Sequence, residues 1–129
     1  MRRVNVDGLV FYQFEHLAGQ AEVVHGLFTR QGGVSEPPWF SLNLSRSTGD
    51  SLEAVTENSR RLLGAVGLAP EQTVSAWLNH GDHIAVVGPQ HQGTALRGTD
   101  AMISATPGLT LSMRFADCVP VLFHDAARG

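Results

Sequence analysis

Two residues have the side chains best suited to chemistry: a histidine in a predicted turn and the lone cysteine before an apolar run. His80 stands in Trp-Leu-Asn-His-Gly-Asp-His, where glycine and aspartate indicate a turn. Cys118 stands in Ala-Asp-Cys-Val-Pro, where Pro120 interrupts strand pairing, so the thiol is able to face a cleft. A solvated turn histidine and a small buried cysteine remain open as alternatives. Asp100 and Asp117 are able to orient an imidazole, although closure of an Asx turn is the favoured interpretation of each.

The pairing of an imidazole with a thiol indicates a metal site, and zinc favours both ligand types. Copper is the alternative, because a blue-copper centre also uses histidine and cysteine. The six histidines of the sequence are scattered singly, without the His-x-His doublets that a cluster of several coppers needs. The sequence therefore argues against a self-contained multicopper site.

A second candidate site is the segment Thr-Arg-Gln-Gly-Gly-Val-Ser, in which the guanidinium of Arg30 stands beside two glycines. The backbone N–H groups of Gly32 and Gly33 are able to approach an anion closely, which suits phosphate or carboxylate. The spacing is neither that of a P-loop nor that of a dinucleotide fingerprint, and a plain turn is the alternative. Further along, Asn43 offers a donor and an acceptor to a base or a sugar, with a solvated loop as the alternative.

A predicted α+β framework positions these residues. Apolar residues at helical spacing predict a helix over residues 51–66, with Asp50 as its N-cap and Gly67 as a stop signal. Short β-rich runs predict strands at residues 8–14, 23–29, 74–78, 83–87, 101–103, 109–113 and 119–123. Glycine and proline predict a long loop between residues 30 and 47. Because no repeat or linker divides the chain, a single domain over residues 1–129 is expected.

Length, charge and cysteine content exclude several classes of function. A chain of 129 residues with 43% hydrophobic and 16% charged residues has the composition of a folded domain. Its formal net charge of -3 argues against nucleic acid or an anionic membrane as a partner. A single cysteine, no secretory leader and no apolar run long enough to span a bilayer together predict a cytoplasmic protein.

These segments, taken in order, resemble those of one protein family. The matching motifs are Thr29-Arg30-x-Gly32-Gly33-x-Ser35, Ser41-Leu42-Asn43-Leu44, Gly49-Asp50 leading into Glu57-Asn58, His80-Gly81-Asp82, Thr99-Asp100-Ala101, Pro107-Gly108 and Ala116-Asp117-Cys118-x-Pro120-Val121-Leu122. The sequence is similar to the laccase-domain or YfiH-like family, long labelled multicopper polyphenol oxidoreductase and now understood as zinc-dependent purine nucleoside phosphorylases. The resemblance runs from about residue 25 to residue 125 and corresponds to the N-terminal half of family members.

The resemblance implies a fold of mixed β-sheets flanked by helices, and a zinc site with His80 and Cys118 as the first two ligands. The third ligand belongs to a His-Ala-Gly-Trp-Arg-Gly motif that members place after the strand ending near residue 125, and the 129 residues end before it. Arg30, His80 and Cys118 are the expected catalytic residues, and Arg30, Gly32, Gly33 and Asn43 the expected substrate-binding residues. A purine nucleoside between the Arg30 segment and the metal ligands would undergo phosphorolysis, with adenosine deamination as a further reaction.

Two other functions remain open at this point. One is copper-dependent oxidation of phenols, which is the older label of the family. The other is an inactive, truncated relative or an interaction module. An exposed sheet face would favour association with a second copy of the chain, so a homo-oligomer is a further expectation.

Overall fold

The structure is a computed structural model that describes residues 1–128. The chain forms two compact units, Met1–Leu68 and Ala69–Gly129. The first unit contains three strands, β1 (Arg2–Val6), β2 (Leu9–Gln13) and β3 (Leu27–Phe28), and two helices, α1 (Glu15–Ala18) and α2 (Leu52–Ala65). The second unit contains five strands, β4 (Thr73–Trp77), β5 (Ile84–Val86), β6 (Ala95–Arg97), β7 (Ala101–Ile103) and β8 (Thr110–Met113), with short 3-10 turns at Pro70–Gln72 and Pro89–His91.

An antiparallel sheet in the order β1-β2-β3 forms the frame of the first unit. β1 and β2 join through a two-residue turn at Asp7 and Gly8, both with positive φ, which is the geometry that matches the twist of a hairpin. The central strand β2 contributes three buried apolar residues in succession, Leu9, Val10 and Phe11. The ring of Phe11 stacks on Phe28 of β3 with 4.5 Å between centroids.

Helix α2 confirms the amphipathic pattern read from the sequence, and it buries Val55, Asn58 and Leu63. Its N-cap is Ser51, whose side chain accepts a hydrogen bond from the backbone N–H of Ala54. The prediction of Asp50 as N-cap was wrong by one residue. The Asp50 carboxylate instead accepts hydrogen bonds from the hydroxyl of Ser35, in the preceding loop, and from the backbone N–H of Ser51.

Parallel pairing organises the second unit. β6, β4 and β8 form one sheet with β4 in the centre, and β5 pairs with β7 in a separate two-stranded sheet. Val74 and Ala76 of β4 are buried, as expected for a strand between two neighbours. All three strands of the larger sheet run the same way, so the segments that follow them leave from one edge.

The prediction of a strand at residues 119–123 was wrong, because this segment pairs with no strand of the described chain. Pro120 has no backbone N–H to donate, and the flanking side chains of Val119 and Phe123 are 85% and 93% exposed.

Two strands of the structure, β1 and β6, were not predicted from the sequence. β1 is polar in sequence, and β6 has three residues, so neither produces a period-2 pattern. The expected class, a mixed fold with several sheets and few helices, is confirmed.

Candidate functional site

His80 lies in the turn that leaves the central strand β4. Its backbone has a left-handed φ of 59°, which is uncommon for a residue other than glycine, and its side chain is exposed. One carboxylate oxygen of Asp100, Oδ1, accepts hydrogen bonds from two consecutive backbone N–H groups, those of Asn79 at 3.0 Å and His80 at 2.8 Å. The turn is therefore tied to a side chain twenty residues further along the chain.

The second oxygen of Asp100, Oδ2, is buried and has no hydrogen-bond partner among residues 1–128. It lies beside Gly81, where an added Cβ would stand 3.3 Å from both Oδ2 and the Oδ1 atom of Asn79. A side chain at position 81 would therefore press on the carboxylate that holds the turn. Closure of an Asx turn was the interpretation favoured for Asp100 from the sequence, with orientation of an imidazole as the alternative, whereas the structure shows its carboxylate accepting hydrogen bonds from the backbone of Asn79 and His80.

Cys118 lies in a bend after β8, the strand next to β4, and its thiol is free and exposed. This exposure rules out the alternative in which the cysteine is a small buried apolar residue. His80 and Cys118 thus stand on segments that leave the same edge of a parallel sheet. Trp77 ends β4 at this edge, and the guanidinium carbons of Arg97 and Arg114 lie 5.2 and 5.3 Å from its ring centroid.

A metal at this edge needs more donors than the described residues supply. No group of three or more His, Cys, Asp or Glu side chains among residues 1–128 is arranged to hold a metal ion. The donor types of His80 and Cys118 suit zinc, but catalytic zinc sites have three protein ligands. The described residues therefore do not fit a complete zinc site, and the ligand role of these two stays a prediction.

Arg30 begins a loop that closes on itself in the first unit. Its Nε donates to the carbonyl of Phe40 at 2.9 Å and its Nη2 donates to the same oxygen, while its own carbonyl accepts from the N–H groups of Ser41 and Leu42. Two of the five N–H donors of the guanidinium are used in this way, and the residue is exposed. A neighbouring carbonyl, and not an acidic side chain, is the partner of Arg30.

The two glycines of this loop are required by close backbone contacts. A Cβ at Gly33 would stand 2.1 Å from the carbonyl oxygen of Ser41, and the N–H of Gly33 donates to the Ser41 hydroxyl at 3.1 Å. Gly32 has a φ of 88°, and a Cβ there would stand 2.4 Å from the carbonyl oxygen of Gly8. Packing therefore explains both glycines, and their contact with a substrate stays a prediction.

Asn43 is held by the end of the same loop. Its Nδ2 donates to Oδ2 of Asp50 at 2.9 Å, and the hydroxyl of Ser35 donates to the same oxygen at 2.7 Å. These two hydrogen bonds, with that of Ser35 the larger cause, lower the pKa of the Asp50 carboxyl below its ordinary value. The ionised carboxylate of Asp50 joins two distant points of the loop, and the predicted substrate contact of Asn43 remains untested.

The role of Asn58, which is fully buried on helix α2, was not predicted from the sequence. Its Nδ2 donates to the Ser35 hydroxyl at 2.8 Å and to the carbonyls of Ser41 and Asn43, and its Oδ1 accepts from the N–H of Val34 at 2.8 Å. One side chain therefore forms hydrogen bonds with two separate parts of the loop. An asparagine three residues after Val55, on the apolar stripe of a helix, was the signal that a buried polar partner exists.

The fold and these segments define a family. Residues 24–129 match the family described as multi-copper polyphenol oxidoreductase laccase, and the chain belongs to it. This confirms the resemblance drawn from the motifs. The chain is similar to two solved structures, YfiH from Bacillus licheniformis (28% identity, TM-score 0.76) and YlmD from Geobacillus stearothermophilus (31% identity, TM-score 0.76). The matches cover 88% and 86% of this chain and 43% of each of those chains.

Relatives in this family carry the name purine nucleoside phosphorylase. A protein of that name from Mycobacterium tuberculosis (strain ATCC 25618 / H37Rv) is 47% identical over 103 residues, covering 78% of this chain and 40% of its own length. Another, from Streptomyces coelicolor, is 39% identical over 119 residues, covering 88% of this chain and 48% of its own length. The chain therefore spans less than half the length of these relatives. Within residues 1–128 no helix has the length and apolar character needed to cross a bilayer.

Proposed function

We propose that this chain catalyses the cleavage of purine nucleosides with phosphate. The observation that carries the proposal is the 47% identity over 103 residues to a mycobacterial protein named purine nucleoside phosphorylase. The substrates are adenosine, inosine and guanosine with inorganic phosphate. In this reaction a phosphate oxygen bonds to the anomeric carbon of the ribose as the bond to the base nitrogen breaks, giving the free base and ribose 1-phosphate.

Arg30 is the proposed phosphate-binding residue. Its guanidinium carries a permanent charge, and three of its N–H donors remain after the two hydrogen bonds to Phe40. Those two bonds hold the side chain in one direction, so little freedom is lost when an anion binds. The backbone of Gly32 is proposed to support the same anion, and Asn43 to contact the nucleoside.

His80 and Cys118 are proposed as two ligands of zinc, with copper as the alternative metal. The described residues by themselves fall short of a complete metal site. The cytoplasm is the proposed compartment, because an exposed thiol such as Cys118 stays reduced there. Adenosine deamination is proposed as an additional reaction, and a homo-oligomer as the assembly.

The direct test incubates the purified chain with inosine and phosphate and measures the release of hypoxanthine and ribose 1-phosphate. A parallel reaction without phosphate distinguishes hydrolysis, and ammonia release from adenosine reports deamination. His80→Ala and Cys118→Ala should each abolish turnover and lower the bound zinc measured by elemental analysis. His83→Ala, which removes an exposed histidine from the same loop, is the matched control and should retain both. Absence of phosphate-dependent product from the unaltered chain would overturn the proposal.

Copper-dependent phenol oxidation is kept as a second candidate because the family description names that activity. It requires stoichiometric copper, a visible copper-thiolate band involving Cys118, and oxygen uptake with a phenol. A colourless sample that contains zinc and consumes no oxygen excludes this candidate. An inactive relative or interaction module is the conclusion if neither reaction is found.

A further inference from the structure

The turn at His80 depends on one carboxylate. We propose that Asp100 is the positioning residue of His80: its Oδ1 atom fixes the backbone from which the imidazole projects, and so fixes the direction of the ring. This inference rests on the proposed function for its catalytic consequence, but the geometry it describes does not. The sequence alone favoured closure of an Asx turn for Asp100, and the hydrogen bonds to the Asn79 and His80 amides are what assign it to the His80 turn.

The backbone of His80 adopts an unusual conformation. A φ near 59° is disfavoured for a histidine, since its Cβ crowds the following carbonyl there. Hydrogen bonds from the N–H groups of Asn79 and His80 to a single oxygen require both groups to point the same way. The carboxylate thus selects a conformation that the local sequence would not select by itself.

Asp100 is itself held in place by its backbone. Its backbone N–H donates to the carbonyl of His83 at 3.0 Å, and it stands between the buried residue Thr99 and strand β7. Asp100 therefore ties the loop at two points, at His80 through its side chain and at His83 through its backbone. An anchor fixed by a strand is able to define the direction of an exposed ring.

The second carboxylate oxygen of Asp100, Oδ2, has no hydrogen-bond partner among residues 1–128. Closing a turn needs one acceptor, and an asparagine would supply it without burying a second charged oxygen. Asp100 keeps Oδ2 buried and without a hydrogen-bond partner among the described residues, next to the position where Gly81 lacks a side chain. Both amides donate to Oδ1 of the carboxylate. Replacing Asp100 with asparagine keeps one accepting oxygen and removes the negative charge. This substitution therefore separates a positioning role from a direct role of the charge.

The experiment compares Asp100→Ala, Asp100→Asn and the control Asp82→Ala, which removes an exposed carboxylate from the same turn. In the full 129-residue chain, NMR measures hydrogen exchange of the Asn79 and His80 amides and the ring-proton signals of His80. Steady-state phosphorolysis of inosine is measured in parallel. Asp100→Ala should accelerate exchange of both amides and move the His80 ring signals, and it should lower kcat about tenfold or more with KM changed less than about threefold.

Asp100→Asn should restore amide protection, ring signals and kcat to within about threefold of the unaltered chain, because it retains the accepting oxygen. Asp82→Ala should change none of these. Unchanged ring signals and amide protection in Asp100→Ala would overturn the inference, as would an Asp100→Asn protein that keeps the turn but loses kcat as completely as the alanine variant. If Asp100→Ala does not fold, Gly81→Ala replaces it, because its added Cβ would stand 3.3 Å from Oδ2 of the same carboxylate and crowd it.

The two proposals fail separately. An unaltered chain without phosphorolysis, in which Asp100→Ala still releases the His80 turn, refutes the proposed function and leaves the positioning role supported. An active chain in which Asp100→Ala changes neither the NMR signals nor kcat refutes the positioning role alone.

Discussion

The side-chain amide of Asn58 donates a hydrogen bond to the hydroxyl of Ser35 at 2.8 Å, entirely within the protein interior. The two residues are 23 positions apart, one on helix α2 and the other in the Arg30 loop. Since Asn58 also binds the backbone of Val34 and Asn43, the loop is attached to the helix by a network of hydrogen bonds, and its shape does not depend on glycine and proline alone.

Replacing Asn58 with alanine should destabilise the chain by about 2 to 3 kcal/mol, because buried N–H and C=O groups would lose their partners. Urea unfolding monitored by tryptophan fluorescence measures the change in the free energy of unfolding. Ser59→Ala is the matched control, since that hydroxyl donates to the helix carbonyl of Val55, and it should change the free energy by less than about 0.5 kcal/mol. Equal effects of the two variants would contradict the role assigned to Asn58.

The Gly33→Ala variant should lose roughly 3 kcal/mol of stability, because its Cβ would overlap the backbone of Ser41 and Leu42. Backbone atoms cannot move aside as the end of a flexible side chain can, so the loop must open. Gly64→Ala in helix α2 is the control: apart from its chain neighbours and the backbone of its own helix, no atom of residues 1–128 lies within 4 Å of the added Cβ, and alanine should stabilise the helix by up to about 1 kcal/mol. Thermal unfolding of both variants measures the difference, and a neutral Gly33→Ala would show that the loop is looser than described.

Removing the Arg30 guanidinium should raise KM for phosphate about tenfold, since a charge-assisted hydrogen bond contributes about 1.5 kcal/mol. Initial rates at saturating inosine and varied phosphate give this constant for Arg30→Ala. Arg46→Ala removes an exposed arginine from the same loop and should leave KM for phosphate unchanged. An equal rise in both variants would indicate a general effect of surface charge and contradict a specific anion site.

The free energy of unfolding should decrease as the pH drops below 6.5, the ordinary pKa of histidine, because the pKa of His25 is lower than this in the folded chain. Burial lowers the pKa of this imidazole, and its Nε2 accepts a hydrogen bond from the N–H of Phe14 at 2.8 Å, which only the neutral ring allows. Above pH 6.5 the ring is neutral in both the folded and unfolded chain, so the contribution of His25 to the free energy of unfolding is fully present. Below it the unfolded chain binds the proton first, and stability decreases until the pH reaches the lower pKa of the folded state.

Urea unfolding between pH 8 and pH 5 tests this relation in the unaltered chain and in His25→Gln. The glutamine variant retains an acceptor for Phe14 and has no titrating ring, so the decrease in stability with falling pH should be smaller. His83→Gln, at an exposed position, should keep the original slope. A slope that is unchanged in His25→Gln would assign the pH dependence to other groups.

Helix α2, most of the strands and the family were predictable because they depend on patterns within short stretches of chain. Helical spacing of apolar residues located α2 almost to the residue, and the order of the motifs identified the family. The strand predicted at 119–123 failed because an apolar run becomes a strand only when another strand pairs with it. Its exposed residues find no such neighbour among residues 1–128.

The sequence by itself thus determined the residue types of the candidate site: an arginine beside two glycines, an exposed-turn histidine and a lone cysteine. Only the tertiary structure decided what holds them, namely the carbonyl of Phe40 at Arg30, the carboxylate of Asp100 at His80 and the amide of Asn58 across the Arg30 loop. The physical reason is that a hydrogen bond depends on distance and direction between groups many residues apart. Packing sets both quantities, and no local pattern of residues records them.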